Sequence, residues 1–122
     1  MVTYKHEEIT GQIINAAHTV HNHLGYGFLE KVYHNALAIE LKNNDYSIEV
    51  EKPIKVFYHN QVVGEFFADI VVDKKVIVEI KATDKHNPVF EAQLLNYLKA
   101  TGLEVGLLVN FATSVRIKRM VL

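Results

Sequence analysis

The chain has no cysteine and no tryptophan, and only two prolines and six glycines among its 122 residues. Without cysteine, disulfides and thiolate metal sites are excluded and the redox compartment is left open. No apolar run approaches the ~18 residues of a membrane span, so no membrane partner is expected. Neither sign of charge prevails: 13 Lys and Arg stand against 14 Asp and Glu, a net charge of −1. Any nucleic-acid binding must therefore rest on a local basic surface. The opening MVTYKHEEIT lacks the basic-then-apolar profile of a secretory signal, so a cytoplasmic protein is expected. There is no linker, low-complexity tract or repeat. A hydrophobic content of 49% with 22% charged residues is that of a globular protein, read here as a single domain over 1–122.

Periodicity divides the chain into eight elements. Ile9, Ile13, Ala17, Val20 and Leu24 recur at three- and four-residue spacing, predicting a helix over 7–24 that breaks at Gly25-Tyr26-Gly27. A second helix is expected over about 28–43, with Leu29, Val32, Tyr33, Ala36, Leu37 and Leu41 on its apolar side. From Ser47 the period becomes two, placing Ile48, Val50, Ile54, Val56 and Tyr58 on one face of a strand. His59-Asn60 predicts a hairpin turn into a strand over 62–72, and Asp73-Lys74-Lys75 a second turn into 76–82. Asn87 suits an N-cap, Pro88 the first helical position and Gly102 the exit of a third helix. Strands over 105–111 and 114–121 complete the order α-α-β-β-β-α-β-β, an α/β (α+β) mixed central sheet flanked by helices.

The chemistry concentrates on the third strand. Glu79 and Lys81 share one face there, and Val76, Val78 and Ile80 the other. A hairpin turning about Lys74 sets Asp69 opposite Glu79, with Cβ atoms roughly 5 Å apart. At an effective dielectric of 20 two such carboxylates repel by about 3 kcal/mol, so a cation is expected. Two hard oxygen ligands suit Mg²⁺ or Mn²⁺, with the carbonyl of Ile80 as a third ligand. Lys81 is placed to offset charge on a phosphate undergoing attack. Glu30, on the helix face of Tyr33 and Leu37, is a candidate third ligand or water holder; equally, it could complement its helix dipole. Gln93 and Tyr97, one turn apart, could orient water or phosphate, or simply pack. His18 and His21 have a chelating i, i+3 spacing, but there is no HExxH and no cysteine partner, so a histidine metal site is set aside. His21 is kept as a candidate for hydrogen bonding near Glu30. Arg116 and Lys118 share a strand face, with Arg119 on the other; they suit either a phosphate backbone or a charge-protected edge strand.

Gly27-Phe28-Leu29-Glu30-Lys31-Val32-Tyr33 reads GxxExxY, and the chain resembles the small prokaryotic proteins named for that motif, placed in the PD-(D/E)XK nuclease superfamily with its restriction-endonuclease-like fold. The resemblance spans roughly residues 8–120. It takes in His21, Asp69, Glu79-Ile80-Lys81, AQLLNYLKATG at 92–102, GLLVNF at 106–111 and KRM at 118–120. It implies that Asp69 and Glu79 are metal-binding acids, Lys81 the catalytic lysine, Glu30 a helix-borne acid and Gln93 the helix glutamine, with Tyr97 its partner. Ala68 stands where the superfamily name has proline. The resulting expectation is a Mg²⁺- or Mn²⁺-dependent phosphodiesterase acting on nucleic acid, DNA before RNA. The alternative is a non-catalytic nucleic-acid-binding or protein-interaction module on the same scaffold. A homodimer or a protein partner would help so small a domain grip a duplex.

Overall fold

The computed structural model describes residues 5–122; positions 1–4, part of the segment read above for a secretory signal, lie outside the described residues. Two helices, α1 (Glu7–Leu24) and α2 (Glu30–Asn43), precede a hairpin of two long strands, β1 (Ile48–Tyr58) and β2 (Gln61–Val72). Then come β3 (Val76–Lys81), α3 (Pro88–Thr101), β4 (Val105–Phe111) and β5 (Val115–Val121). The sheet runs in sequence order from β1 to β5. Among the described strands only β3 and β4 pair in parallel, because α3 carries the chain back between them. No helix among the described residues is long and apolar enough to cross a membrane.

Strand alternation divides the core in two. Val76, Val78 and Ile80 of β3 meet Ile13, Ala17 and Val20 of α1 and Leu37 and Leu41 of α2 on one face. On the other, Ile77 and Leu108 meet Leu94, Tyr97 and Leu98 of α3. Helix α3 lies close against the sheet because β4 carries Gly106 beneath it: a Cβ there would come within 2.8 Å of Leu94. Its start is built as expected, with the Asn87 side chain accepting from the Val89 amide at 3.0 Å and Pro88 in the first turn. The β1–β2 and β2–β3 hairpins turn through left-handed residues, His59-Asn60 and Asp73-Lys74, conformations that Asn and Asp tolerate better than most residues.

Two expectations fail in an instructive way. Helix α2 begins at Glu30 rather than 28, because Leu29 is extended and Gly27 sits at φ 108, so Leu29 and Val32 are exposed. The five residues placed on one face of β1 do not share it. Ile48 packs toward α1 and α2, whereas Ile54 is buried under α3, and Val50 and Tyr58 are exposed. Strand β2 reverses in step: Ala68 belongs to the α3 side and Ile70, two residues on, to the opposite core. The reversal centres on Glu51, a non-glycine residue at φ 51, whose position opposite Asp69 drops out of the β1–β2 register; a second break, a register shift, lies further out between Val56 and Phe57. The β1–β2 hairpin thus turns itself over at Asp69, while β3 keeps its alternation.

Candidate active site

Asp69 lies where regular pairing stops. The β2–β3 ladder ends at Ile70 opposite Val78, so positions 69 and 79 are not the plain cross-strand pair expected above. Side chains take over from the backbone there. The Asp69 N–H donates to Glu79 Oε1 at 3.2 Å, and the Ile80 N–H donates to Asp69 Oδ2 at 2.7 Å. Each carboxylate is thus held by the backbone of the neighbouring strand, and the two carboxyl groups also lie within hydrogen-bonding reach of each other.

Glu79 is 6% exposed, and burial, followed by the charge of Asp69, pushes its carboxyl up to about 8. The Asp69 amide and Lys81 pull the other way without prevailing. Lys81, on the same face of β3, makes no ion pair among the described residues; its ammonium lies over the Phe90 ring, 4.6 Å from the centroid. A cation–π contact of this kind stabilises by about 0.5–2 kcal/mol while leaving the amine chemically available.

Glu30 reaches the site from the first turn of α2. It stands at the open rim rather than among the apolar neighbours that its spacing suggested. Burial of its carboxyl end, then Asp69, raise it, against the pull of Lys81 and His34. Its approach is set by Tyr33, whose hydroxyl donates to the Gly25 carbonyl at 2.6 Å, accepts from the Phe28 amide at 3.2 Å, and whose ring stacks on Phe111. On α3, which covers the face of β3 that carries Glu79 and Lys81, the Gln93 amide donates to the Tyr97 hydroxyl at 2.9 Å. Burial, then Glu79 and Asp69, raise the Tyr97 phenol, which places that side chain within the field of the acids.

Other candidates go elsewhere. His21 bonds the Ala112 carbonyl at 3.0 Å and stacks on Phe111; the histidine beside Glu30 and Asp69 is His34. Arg119 lies on the far face of β5, where it bonds the Lys5 carbonyl, while Arg116 and Lys118 line a hollow with Lys81. Glu51, across from Asp69, is held below the usual carboxylate range by its bond to Lys31.

His34 was not singled out from the sequence, although it falls four residues after Glu30 and so shares its helix face. It is 4% exposed, and its Nε2 lies 3.0 Å from the Asp69 carbonyl, where it can only donate. It therefore pins the backbone at the strand reversal. His34→Leu keeps the bulk and removes that donor, and should cost about 1–3 kcal/mol of stability in urea denaturation. Asn110 plays a related part after Lys81: its amide accepts from the Thr83 N–H at 3.0 Å and donates to the Thr83 carbonyl at 2.8 Å.

Among the described residues no three His, Cys, Asp or Glu side chains group closely enough to hold a metal ion by themselves. The donor set nevertheless fits a hard divalent ion completed by water and substrate, because two carboxyl groups meet there and a cation could replace the proton that burial and Asp69 hold on Glu79. The sequence model of the PD-(D/E)XK nuclease superfamily matches residues 7–120. No curated protein matches the sequence significantly. Among solved structures the chain is similar to SSO0001, at 25% identity and TM-score 0.59, over 75% of this chain and 48% of that one. It is also similar to an alkaline exonuclease, LHK-Exo, from Laribacter hongkongensis, at 16% identity and TM-score 0.55, over 75% of this chain and 55% of that one. The chain thus spans about half the length of these two structures.

Proposed function

The chain belongs to the PD-(D/E)XK nuclease superfamily, with its restriction-endonuclease-like α+β fold, and on that premise we propose that it is a metal-dependent nuclease hydrolysing phosphodiester bonds, DNA being the preferred substrate. The observation that carries this reading is the reciprocal lock of Asp69 and Glu79 onto opposing backbone amides with Lys81 alongside.

Asp69 and Glu79 would hold one Mg²⁺ or Mn²⁺, with the Ile80 carbonyl as a further ligand; the ion would supply Lewis acidity toward the phosphate and lower the pKa of an attacking water. That carbonyl suits the role because both backbone groups of a strand residue point the same way, and the Ile80 N–H already faces Asp69. Lys81 neutralises charge as the water oxygen bonds to phosphorus and the ester P–O bond breaks. Glu30 at the rim orients the attacking water. Gln93, held by Tyr97, positions the phosphate from the opposite side.

Lys81→Met tests the division of labour. It retains an apolar side chain against Phe90 and leaves the acids in place, so Mn²⁺ binding measured by calorimetry should persist. Cleavage of a labelled DNA should fall by about 10²–10³-fold, the scale for removing one preorganised charge-stabilising group. Cleavage at the wild-type rate would remove Lys81 from the mechanism. Metal binding without cleavage by the wild-type protein, across single- and double-stranded DNA and RNA, would instead favour a binding module on this scaffold.

A further inference from the structure

We infer that the α3 face of the sheet is a track for a single strand of nucleic acid, with bases in an aromatic groove on one side of Lys81 and phosphates on Arg116 and Lys118 on the other. The position of the scissile phosphate between them rests on the function proposed above.

The groove, about 790 Å³, opens between α3 and the outer half of the β1–β2 hairpin. Phe57, Phe66, Phe90 and Tyr97 line it together with Lys55 and Lys99, and no carboxylate does. Phe57 is 60% exposed and Phe66 43%, unusual for rings on a sheet face that a helix partly covers. Phe66 is nonetheless held in place, its ring lying over Gly64 and 5.8 Å from that of Tyr97. Rings already ordered before binding lose little freedom when a base stacks on them. Pockets of roughly 300–1,000 Å³ enclose drug-sized molecules, so this one has room for unstacked bases.

The second hollow, about 190 Å³, contains Arg116 and Lys118 beside Lys81. Its one acid, Glu91, already faces His86 at 3.2 Å. Phe90 lines both cavities and carries the Lys81 ammonium over its ring, so the aromatic and cationic surfaces meet at the proposed catalytic lysine. Stacking platforms beside a basic groove are what sequence-tolerant single-strand recognition requires. Paired bases stay stacked within a duplex and cannot enter such a groove, and a net charge of −1 gives a duplex little general attraction.

The test is fluorescence anisotropy in Ca²⁺ buffer with a labelled 12-nucleotide single strand and a blunt duplex of the same sequence. The single strand should bind at least about tenfold tighter. Phe57→Ala with Phe66→Ala should weaken it by about 10- to 100-fold, the range for one or two lost stacking contacts, while Phe57→Tyr with Phe66→Tyr should retain it. Melting curves establish that both variants fold. Equal affinity for strand and duplex, or an alanine pair that binds as the wild type does, would overturn the inference. So would a dimer in sedimentation that Phe57→Ser with Phe66→Ser dissolves while strand binding is unchanged, since the groove would then belong to a second copy. Binding needs no turnover, so the two readings separate. A protein that binds strands through these rings and cuts nothing loses only its nuclease assignment; one that cuts duplex and strand alike, indifferent to the rings, loses only the track.

Discussion

Asp69→Asn should lower cleavage by at least about 10³-fold while leaving the domain folded. The substitution is nearly isosteric, and the new side-chain oxygen can still accept from the Ile80 amide, so the strand reversal at this position keeps its support. What disappears is one of two negative charges directed at a common point. A metal contributes several kcal/mol of charge stabilisation to phosphoryl transfer, and each 1.4 kcal/mol is a factor of ten in rate, so roughly 10³ is a lower bound. The measurement is single-turnover cleavage in saturating Mn²⁺, with thermal unfolding as the control. Residual activity within tenfold of wild type would mean that the ion, or the chemistry, is elsewhere.

Glu79→Gln should abolish cleavage and stabilise the metal-free protein. Burial and Asp69 raise the folded-state carboxyl to about 8, whereas an unfolded chain would ionise it near 4.3. Between those values the unfolded state releases a proton that the folded state retains, so stability falls as pH rises through that window and levels off above about 8. The slope approaches 1.4 kcal/mol per pH unit at most. Glutamine carries no charge, and its oxygen can still accept from the Asp69 amide. In chelator at pH 8 the variant should therefore exceed wild type by on the order of 2–4 kcal/mol, and the advantage should vanish toward pH 4.5. Mn²⁺ should restore much of the deficit in wild type and nothing in the variant. An advantage independent of pH would indicate better packing, not a relieved charge.

Such a trade is expected at sites where function overrides local stability, and it marks how far the site can be read from residues alone. Alternation along Val76–Lys81 puts Glu79 and Lys81 on one face because β3 is regular to its end, and the α3 side of the core follows that rule. The Asn87, Pro88 and Gly102 signals locate α3 because capping is local chemistry. The reversal at Glu51 and Asp69 has no such signal: a left-handed glutamate is allowed only by its surroundings, and it moves Ile48 and Ile54 to opposite cores. His34 acquires its part from the approach of α2 to β2, which no spacing within α2 encodes. The exposure of Phe57 and Phe66 has no signal either, because it depends on how far α3 reaches across the β1–β2 hairpin.

The shared charge of Asp69 and Glu79 is the point on which the proposed chemistry turns, and calorimetric titration with Mn²⁺ at pH 7.5 addresses it without any substrate. Wild type should bind one ion saturably, Asp69→Asn and Glu79→Gln should each lose most of that affinity, and Lys81→Met should retain it. A wild-type protein with no saturable heat, or one whose affinity survives both acid substitutions, would contradict the account.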